Sequence, residues 1–359
     1  MQRTADIAAI VKRAAYDAGF DLCGIAPAAD PPELDSFSAW IAAGHAGEMK
    51  YMGARDEHGS LKRASLAAVA PWAHSVVVCV INYNTDQPYS TEFRDPARGW
   101  ISRYAWSRED YHIAVMRRLR KVENTLRVAN GQNSDAADLV TRCYVDTGPV
   151  VERVFAKYSG VGWIGKNTCL INQKEGSWLF LGVILTSLEL LPDLPAPDRC
   201  GTCTRCIEAC PTDALLEPYK LDSNKCISYL TIEKRGEIPQ EIRSGMGRHI
   251  FGCDICQDVC PWNRKAPATT EPEFQARPEL VNPALDWLAE MTADEFRATF
   301  RGSPIRRAKR RGLRRNALIA MGNSRDRKFL SLLEELSADE DATVAEAARW
   351  AQKKLLSRE

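Results

Sequence analysis

Eight cysteines between residues 200 and 260 constrain this chain more than any other feature. The first run is Cys200-Gly-Thr-Cys203-Thr-Arg-Cys206-Ile-Glu-Ala-Cys210-Pro211, which has the spacing C-x2-C-x2-C-x3-C-P. Its first three thiolates can wrap three corners of a [4Fe–4S] cubane, while the cysteine before proline ligates a second cluster. The spacing therefore predicts a ferredoxin-like unit with two clusters.

A second cysteine run supplies most of the remaining ligands. It reads Cys253-Asp-Ile-Cys256-Gln-Asp-Val-Cys260-Pro261 and lacks one cysteine of a full motif, which Cys226 can replace. The two runs predict two [4Fe–4S] clusters, and the cysteine before proline in each run ligates the cluster of the other run. Cluster one then has Cys200, Cys203, Cys206 and Cys260 as ligands, and cluster two has Cys210, Cys226, Cys253 and Cys256. A pair of zinc sites is the alternative, because paired C-x2-C motifs also bind zinc. The triple run and both trailing prolines favour iron–sulfur clusters.

The sequence predicts that these cysteines lie in a reducing compartment. No apolar run approaches the roughly 20 residues that cross a bilayer, and charged residues interrupt the N-terminal stretch where a signal peptide would lie. We therefore expect a cytoplasmic protein with no membrane partner, in which clustered cysteines indicate metal or redox chemistry. The other four cysteines stand singly in apolar stretches and are predicted to be small buried hydrophobes: Cys23, Cys79, Cys143 and Cys169.

The 359 residues predict two or three domains at roughly 150 residues per domain. Proline-rich stretches divide the chain into an α/β region at residues 1–191, the ferredoxin-like unit at 192–266 and an all-helical part at 267–359. Within the first region, strands are predicted at residues 22–25, 75–82 and 139–145, with helices at 110–130 and 149–159. Residues 168–172 and 178–186 are predicted to be two strands joined by a turn.

A basic run at residues 301–315 stands out against a net charge of only +1. Eight of its fifteen residues are Lys or Arg and none is acidic. Such a run is typical of a surface that binds the phosphates of a nucleic acid, and the alternative is a solvated helix face. Its candidate contacts are Arg306, Arg307, Lys309, Arg310, Arg311, Arg314 and Arg315.

Several further motifs, in this order and with the cysteine runs, resemble the epoxyqueuosine reductase family. They are Ser102-Arg-Tyr-Ala-Trp106 with Asp110-Tyr-His112, Val145-Asp-Thr-Gly148, Gly160-Val-Gly-Trp-Ile-Gly-Lys-Asn167 and Arg314-Arg-Asn-Ala-Leu318. The resemblance implies an α+β multidomain fold with a nitroreductase-like, cobalamin-binding α/β core, as in the reductive dehalogenases. It also implies a two-cluster ferredoxin-like domain and a C-terminal HEAT-like all-α domain that binds tRNA.

The same resemblance implies an activity. Members of this family reduce epoxyqueuosine to queuosine at the wobble position of tRNA anticodons, using two electrons and two protons, in the final step of queuosine biosynthesis. Cob(I)alamin would act on the substrate, and the two [4Fe–4S] clusters would supply it with electrons. The partners implied are an anticodon stem-loop carrying epoxyqueuosine and an external low-potential donor of the flavodoxin or ferredoxin type.

The resemblance also assigns residues around the corrin ring: Arg63, Asp146, Leu170, Leu181, Ile184, Ser228 and Asp254. Considered as residues alone, Leu170, Leu181 and Ile184 form either an apolar floor or ordinary core. Arg63 would bind a corrin amide or a tRNA phosphate, with solvation at the surface as the alternative. Asp254 lies between two ligands of cluster two, which makes that cluster the last stop before cobalt.

Asp146 is the candidate general acid. An epoxide oxygen leaves more easily once it is protonated, and burial can keep a carboxylic acid protonated near neutral pH. Considered alone, Asp146 or Thr147 suits the N-cap of a helix that starts at Pro149, and this structural role is slightly favoured. The resemblance assigns Asp146 to proton donation instead.

No histidine motif for cobalt is complete. The nearest string to D-x-H-x-x-G is Asp110-Tyr-His-Ile-Ala-Val115, which lacks the glycine, so His112 is predicted to be an ordinary residue at a helix start. A base-off cobalamin without a protein histidine ligand agrees with the resemblance. Two other classes stay open at this point: a corrinoid reductive dehalogenase, and a non-enzymatic ferredoxin-like electron-transfer module.

Overall fold

The structure, a computed structural model, describes residues 2–131 and 139–357. Its α-helices in these residues are α1 Gln2–Asp17, α2 Glu33–Ala42, α3 Leu66–Val69, α4 Tyr111–Gly131, α5 Glu152–Tyr158, α6 Arg205–Glu208, α7 Ile227–Ile232, α8 Gln240–Arg243, α9 Ile255–Asp258, α10 Leu285–Glu290, α11 Ala293–Thr299, α12 Lys309–Ser324, α13 Leu330–Leu336 and α14 Ala342–Leu356. Its strands are β1 Leu22–Pro27, β2 Ser75–Asn82, β3 Trp100–Ile101, β4 Thr141–Tyr144, β5 Trp163–Ile164, β6 Leu170–Ile171, β7 Leu179–Thr186, β8 Leu215–Glu217, β9 Lys220–Leu221 and β10 His249–Phe251.

A four-stranded sheet in the order β1-β2-β7-β4 forms the centre of the first region. Strand β2 is buried at every position, because α1 and α4 cover one face of the sheet and α5 covers the other. Such a continuous apolar run is expected for a strand buried on both faces. All three pairings are antiparallel, so the region is α+β rather than an alternating parallel α/β unit.

Two sequence predictions for this region are wrong. Residues 168–172 and 178–186 do not pair as a hairpin, because β6 pairs with β5 while β7 is inserted between β2 and β4. A single bridge between Asn172 and Gly176 closes the turn, after which the chain enters the larger sheet. The helix predicted from Pro149 begins at Glu152 and has Val151 as its N-cap, so the intervening residues form a loop.

The helices of residues 285–356 confirm the predicted all-helical C-terminal part. Their core is continuous with that of the cysteine-rich unit, since Leu230 and Ile250 belong to the same buried cluster as Leu318 of α12. Buried Asn316 strengthens this junction by donating to the carbonyl oxygens of Thr231 and Ile250, at 2.8 and 2.9 Å. Among the helices described, none has the length and apolar character needed to span a bilayer.

Candidate active site

A cavity of about 850 Å³ opens where the sheet, the cysteine-rich unit and the C-terminal helices meet. Its lining includes Leu181 of β7, Ser228 of α7 and Arg307, which precedes α12. The volume lies at the upper end of the range for ligand sites, about 300–1,000 Å³. The cavity is therefore large enough for a bulky cofactor or substrate.

One wall of this cavity consists of cysteines. Cys210, Cys226, Cys253 and Cys256 all line it, and so does Cys169. The prediction that Cys169 is a small buried hydrophobe is wrong, because its half-buried thiol faces this wall. Burial of the other three single cysteines is confirmed: Cys23, Cys79 and Cys143.

The other four cysteines of the unit do not line the cavity: Cys200, Cys203, Cys206 and Cys260. Buried Cys260 packs with Trp163 and Ile171 against Cys200. Burial raises the pKa of Cys260 to about 11, and the nearby thiols of Cys200 and Cys206 add to this rise. Cys260 therefore lies beside the first cysteine run, although it belongs to the second run in sequence.

Cys210 of the first run lies, in turn, beside cysteines of the second run. Burial raises the pKa of Cys253, and the adjacent thiols of Cys226 and Cys210 raise it further. Cys210 therefore lies beside Cys253 of the second run, although it belongs to the first run in sequence.

Asp146 lies in the loop after β4 and faces the cavity. Its backbone has a φ of 58°, a left-handed conformation that non-glycine residues seldom adopt outside special sites. Tyr111 donates its hydroxyl to Asp146 Oδ2 at 3.0 Å, and His112 Nε2 lies 3.4 Å from the same oxygen. The N-cap alternative for Asp146 is wrong, because α5 begins only at Glu152.

The charge state of Asp146 differs from the sequence prediction. Burial favours the protonated acid, but the positive charges of His112 and Arg307, together with the hydrogen bond from Tyr111, lower the pKa of Asp146 to about 2. The pKa of His112 is raised to about 9, because the carboxylates of Asp110 and Asp146 outweigh its burial. At neutral pH the pair is thus a carboxylate and an imidazolium, and the proton resides on His112.

His112 is indeed at a helix start, as predicted, but its ring has a further role. Its Nδ1 lies 2.6 Å from Asp110 Oδ1, and its Nε2 faces Asp146. Both ring nitrogens are therefore directed at carboxylates. The sequence signal for this arrangement was the string Asp110-Tyr-His112, in which all three residues contact one another or Asp146.

Of the corrin contacts that the resemblance implies, the structure brings only some to the cavity. Leu181 and Ser228 line it, together with Asp146. Leu170 and Ile184 are core residues that do not line it, and Ile184 packs on the opposite face of the sheet from Leu181. Side chains alternate along a strand, so positions 181 and 184 cannot share a face. The prediction of one apolar floor formed by all three is therefore wrong.

Arg63 and Asp254 do not line the cavity but bind segments that do. Arg63 donates to the carbonyl oxygens of Tyr51 and Gly148, at 2.7 and 2.8 Å, and so anchors the loop that carries Asp146. Buried Asp254 accepts hydrogen bonds from the Ser102 hydroxyl and, at 2.6 Å, from the backbone N–H of Arg103.

The basic run divides into two parts of opposite character. Arg306, Arg307 and Lys309, which we call the mouth half, line the opening of the cavity. Arg314 and Arg315, which we call the buried half, are only 5% and 1% exposed. The prediction that the buried half binds phosphates is wrong, because these guanidinium groups bind the protein interior.

The contacts of the buried half explain this difference. Arg314 donates to the Ala289 carbonyl and pairs with Asp339 at 2.6 Å. Arg315 donates to three carbonyl oxygens of the cysteine-rich unit, those of Leu230, Lys234 and Gly236. Between the two halves, half-buried Arg310 donates to the Met291 carbonyl, and exposed Arg311 lies 3.7 Å from Asp341.

Sequence reasoning missed Glu152 as a cavity residue. Its Oε1 is buried and has no hydrogen-bond partner among the described residues, and burial raises the pKa of this carboxyl to about 7. The sequence also did not reveal the left-handed backbone of two cavity-lining residues, Thr168 and Lys309, whose φ values are 65° and 60°. No local pattern marks Glu152, because its burial depends on the tertiary fold.

A cavity that joins a cysteine wall to an acidic group and a basic mouth points to the class of iron–sulfur oxidoreductases. Residues 199–263 match the family model for a 4Fe-4S double cluster binding domain. Residues 63–147 match the model described as "Epoxyqueuosine reductase QueG, DUF1730".

Curated relatives extend the match over the whole chain. The epoxyqueuosine reductase of Xanthomonas campestris pv. campestris is 39% identical over 349 residues, covering 96% of this chain and 95% of the relative. That of Synechocystis sp. is 43% identical over 299 residues, covering 82% of this chain and 98% of the relative. This chain belongs to the epoxyqueuosine reductase family, as its motifs predicted.

Solved structures agree with this assignment. A crystal structure of epoxyqueuosine reductase with a tRNA-Tyr epoxyqueuosine-modified tRNA stem loop has a TM-score of 0.85 and 29% identity, and the match covers 96% of this chain and 89% of that one. The epoxyqueuosine reductase of Streptococcus thermophilus has a TM-score of 0.83 and 27% identity, with the same coverage.

Proposed function

We propose that this protein reduces epoxyqueuosine to queuosine at the wobble position of tRNA anticodons. The observation that carries the proposal is that one cavity brings together the cysteine wall, Asp146 and the mouth half of the basic run. The epoxide accepts two electrons and two protons, both of its C–O bonds break, and the products are an alkene and water. A single site must therefore supply electrons, supply protons and hold a polyanionic substrate.

The electrons arrive through two [4Fe–4S] clusters in our proposal. Cluster one would be held by Cys200, Cys203, Cys206 and Cys260, and cluster two by Cys210, Cys226, Cys253 and Cys256. The packing of Cys260 against Cys200 supports the crossover, as does the position of Cys210 beside Cys226 and Cys253. Because Cys210, Cys226, Cys253 and Cys256 all line the cavity, cluster two would be the one that supplies electrons there.

The cavity would also hold a cobalamin, base-off and without a histidine ligand from the protein. Its volume suits a large cofactor, and Leu181 supplies apolar contact. The unpartnered Oε1 of Glu152 is suited to accept a hydrogen bond from a corrin amide, and Ser228 adds a hydroxyl. Cobalamin, when bound, supplies a reducible and nucleophilic metal centre. Arg63 and Asp254 support this site by fixing the Asp146 loop and the segment around Cys253.

Asp146 delivers a proton to the departing oxygen. The proton that this step needs is stored at neutral pH on His112, whose Nε2 faces the Asp146 carboxylate. Tyr111 orients the carboxylate through its hydroxyl, and Asp110 orients the imidazole. This chain of contacts lets a strongly acidic carboxyl be recharged with a proton during each turnover.

The tRNA would enter through the mouth half, where exposed cations meet the backbone phosphates of the anticodon loop. The relative solved with a modified tRNA stem loop supports this partner. We also propose that the sheet region is nitroreductase-like and that the C-terminal helices are HEAT-like. The domain boundaries, the cytoplasmic location and a flavodoxin or ferredoxin donor stay predictions.

Nucleoside analysis tests the proposal directly. Anaerobically reconstituted protein, loaded with cobalamin and reduced, is incubated with epoxyqueuosine-containing tRNA, which is then digested for mass spectrometry. We expect the modified nucleoside to lose the mass of one oxygen. If that nucleoside persists while a halogenated aromatic is dehalogenated, the dehalogenase alternative is correct. If no corrin absorption accompanies the clusters, the electron-transfer alternative is favoured.

A further inference from the structure

Arg307 connects three segments at the cavity mouth through different atoms of its side chain. Its Nε pairs with Glu233, its Nη2 lies 3.1 Å from the Tyr51 hydroxyl, and its Nη1 lies 3.6 Å from Asp146 Oδ2. The contact with Asp146 is the longest of the three and joins the C-terminal helical part to the proposed proton donor. The Arg307 side chain is still 37% exposed, so an incoming anion can reach it.

We propose that Arg307 is a positioning residue that senses the tRNA: a backbone phosphate takes the Nη1 group of Arg307 and thereby releases Asp146 to act as the acid. This inference rests on the proposed function. In the free enzyme the Asp146 carboxylate occupies the place of the substrate anion at Nη1. In the complex the phosphate occupies that place, and Asp146 turns to the reacting oxygen.

The geometry allows this exchange without freeing the whole arginine. Glu233 keeps the Nε group and is only 16% exposed, so it holds the guanidinium at the mouth. The planar guanidinium can bind a carboxylate on one edge and a phosphate oxygen on another. Exposed Arg306 and Lys309 flank the same opening and raise the local concentration of phosphate.

Several other ionisable groups face Asp146 and set its charge. The cations are His112, Arg153 and Arg307, and the carboxyls are Asp110 and Glu152. The phenols of Tyr51, Tyr104 and Tyr111 complete the surroundings. Of the cations, Arg307 alone lies in the C-terminal part and pairs with Asp146 across the mouth, so it is the one that an RNA phosphate can draw away.

The exchange changes the number of bound protons. When the phosphate pairs with Arg307, Asp146 loses this favourable contact, and its pKa rises from the value near 2 in the free enzyme. The carboxylate can then take a proton from His112, which solvent protonates again, and later give that proton to the departing oxygen. RNA binding is therefore coupled to proton uptake, and the affinity should decrease as pH rises between the free and bound pKa values of Asp146.

Calorimetry measures this coupling without turnover. Cofactor-loaded protein is titrated anaerobically with unmodified anticodon stem-loop RNA, from about pH 5 to 7, in buffers of different ionisation enthalpy. We expect wild-type protein to take up a fraction of a proton per RNA bound. This fraction should increase as pH falls, to at most about one. The uptake should disappear in D146N and in R307Q, and R307K should restore part of it.

Two further variants separate the switch from simpler effects. R311Q removes a charge from the same basic run but away from Asp146, so its RNA binding should keep the proton uptake. R307Q/E233Q removes the carboxylate that R307Q alone leaves unpaired, and it should behave like R307Q. Uptake that survives in D146N would belong to another group, such as Glu152, and would overturn the inference.

The outcomes also distinguish this inference from the proposed function. If wild-type protein binds the stem-loop without proton uptake, or if R307Q retains the full uptake, the Arg307 switch is wrong while tRNA binding stands. If the stem-loop does not bind wild-type protein at all, both the proposed function and the switch are wrong.

Discussion

The two halves of the basic run have the same chemistry in sequence and opposite environments in the structure. Arg306, Arg307 and Lys309 lie at or before the first residue of α12 and face the cavity mouth. Arg314 and Arg315 lie more than a turn into that helix and face the protein interior. The difference teaches that the density of charge in a sequence does not reveal which cations meet solvent. The position of each residue relative to the start of α12, and the segments packed against it, decide which cations are exposed.

The largest expected effect concerns the acid that the mouth half contacts. Asp146→Asn keeps the shape of the side chain but cannot donate a carboxylic proton, so we expect turnover of epoxyqueuosine-tRNA to fall by about 10²–10⁴-fold. Absorption spectra should show that clusters and cobalamin are retained. If turnover stays normal and only the melting temperature falls, Asp146 has a structural role and the mouth half loses its catalytic partner.

The second prediction tests the buried half. Arg315→Ala leaves several carbonyl oxygens without their donor at the junction of two parts of the protein. We expect the free energy of unfolding to decrease by about 3–5 kcal/mol, measured by urea denaturation, because each buried acceptor left without a donor costs about 1–3 kcal/mol. The fraction that remains folded should bind stem-loop RNA with unchanged affinity. A stable variant with weakened RNA binding would contradict the assignment of Arg315 to the interior.

The third prediction uses the pH dependence of turnover to test His112 as the proton store beside the mouth half. The pKa of His112 is raised to about 9, so the imidazolium is present at neutral pH and is lost as pH rises through that value. We expect turnover at saturating tRNA to fall about tenfold per pH unit above pH 9. His112→Gln should remove this alkaline limb. An unchanged limb in that variant would assign it to another group.

Sequence reasoning worked where the pattern was local. The fully buried β2 and the cysteine spacing were predictable because one physical requirement governs each of them. The N-cap role proposed for Asp146 was wrong because an unmarked loop separates it from α5. The environments of Glu152, Cys169 and Arg315 depend on segments distant in sequence, so no local pattern could reveal them.

The smallest effect is expected for Arg311, which lies between the mouth half and the buried half of the basic run. Arg311→Gln removes an exposed side chain that lies 3.7 Å from Asp341. Exposed pairs of this kind contribute about 0.2–1 kcal/mol, so the unfolding midpoint should hardly change. The slope of log RNA affinity against log salt should fall by at most about one. A larger loss would extend the RNA surface beyond the mouth half.

The central claim is that tRNA is held by the mouth half and that the buried half only supports the fold. The salt dependence of stem-loop binding tests it, with the R306Q/R307Q/K309Q variant compared against R314K/R315K. We predict that the slope of log affinity against log salt flattens by about two units in the mouth variant, since fewer counterions are released. The buried variant should keep the wild-type slope and unfold at lower urea concentration. A wild-type slope in the mouth variant, or a flattened slope in the folded buried variant, would contradict the account.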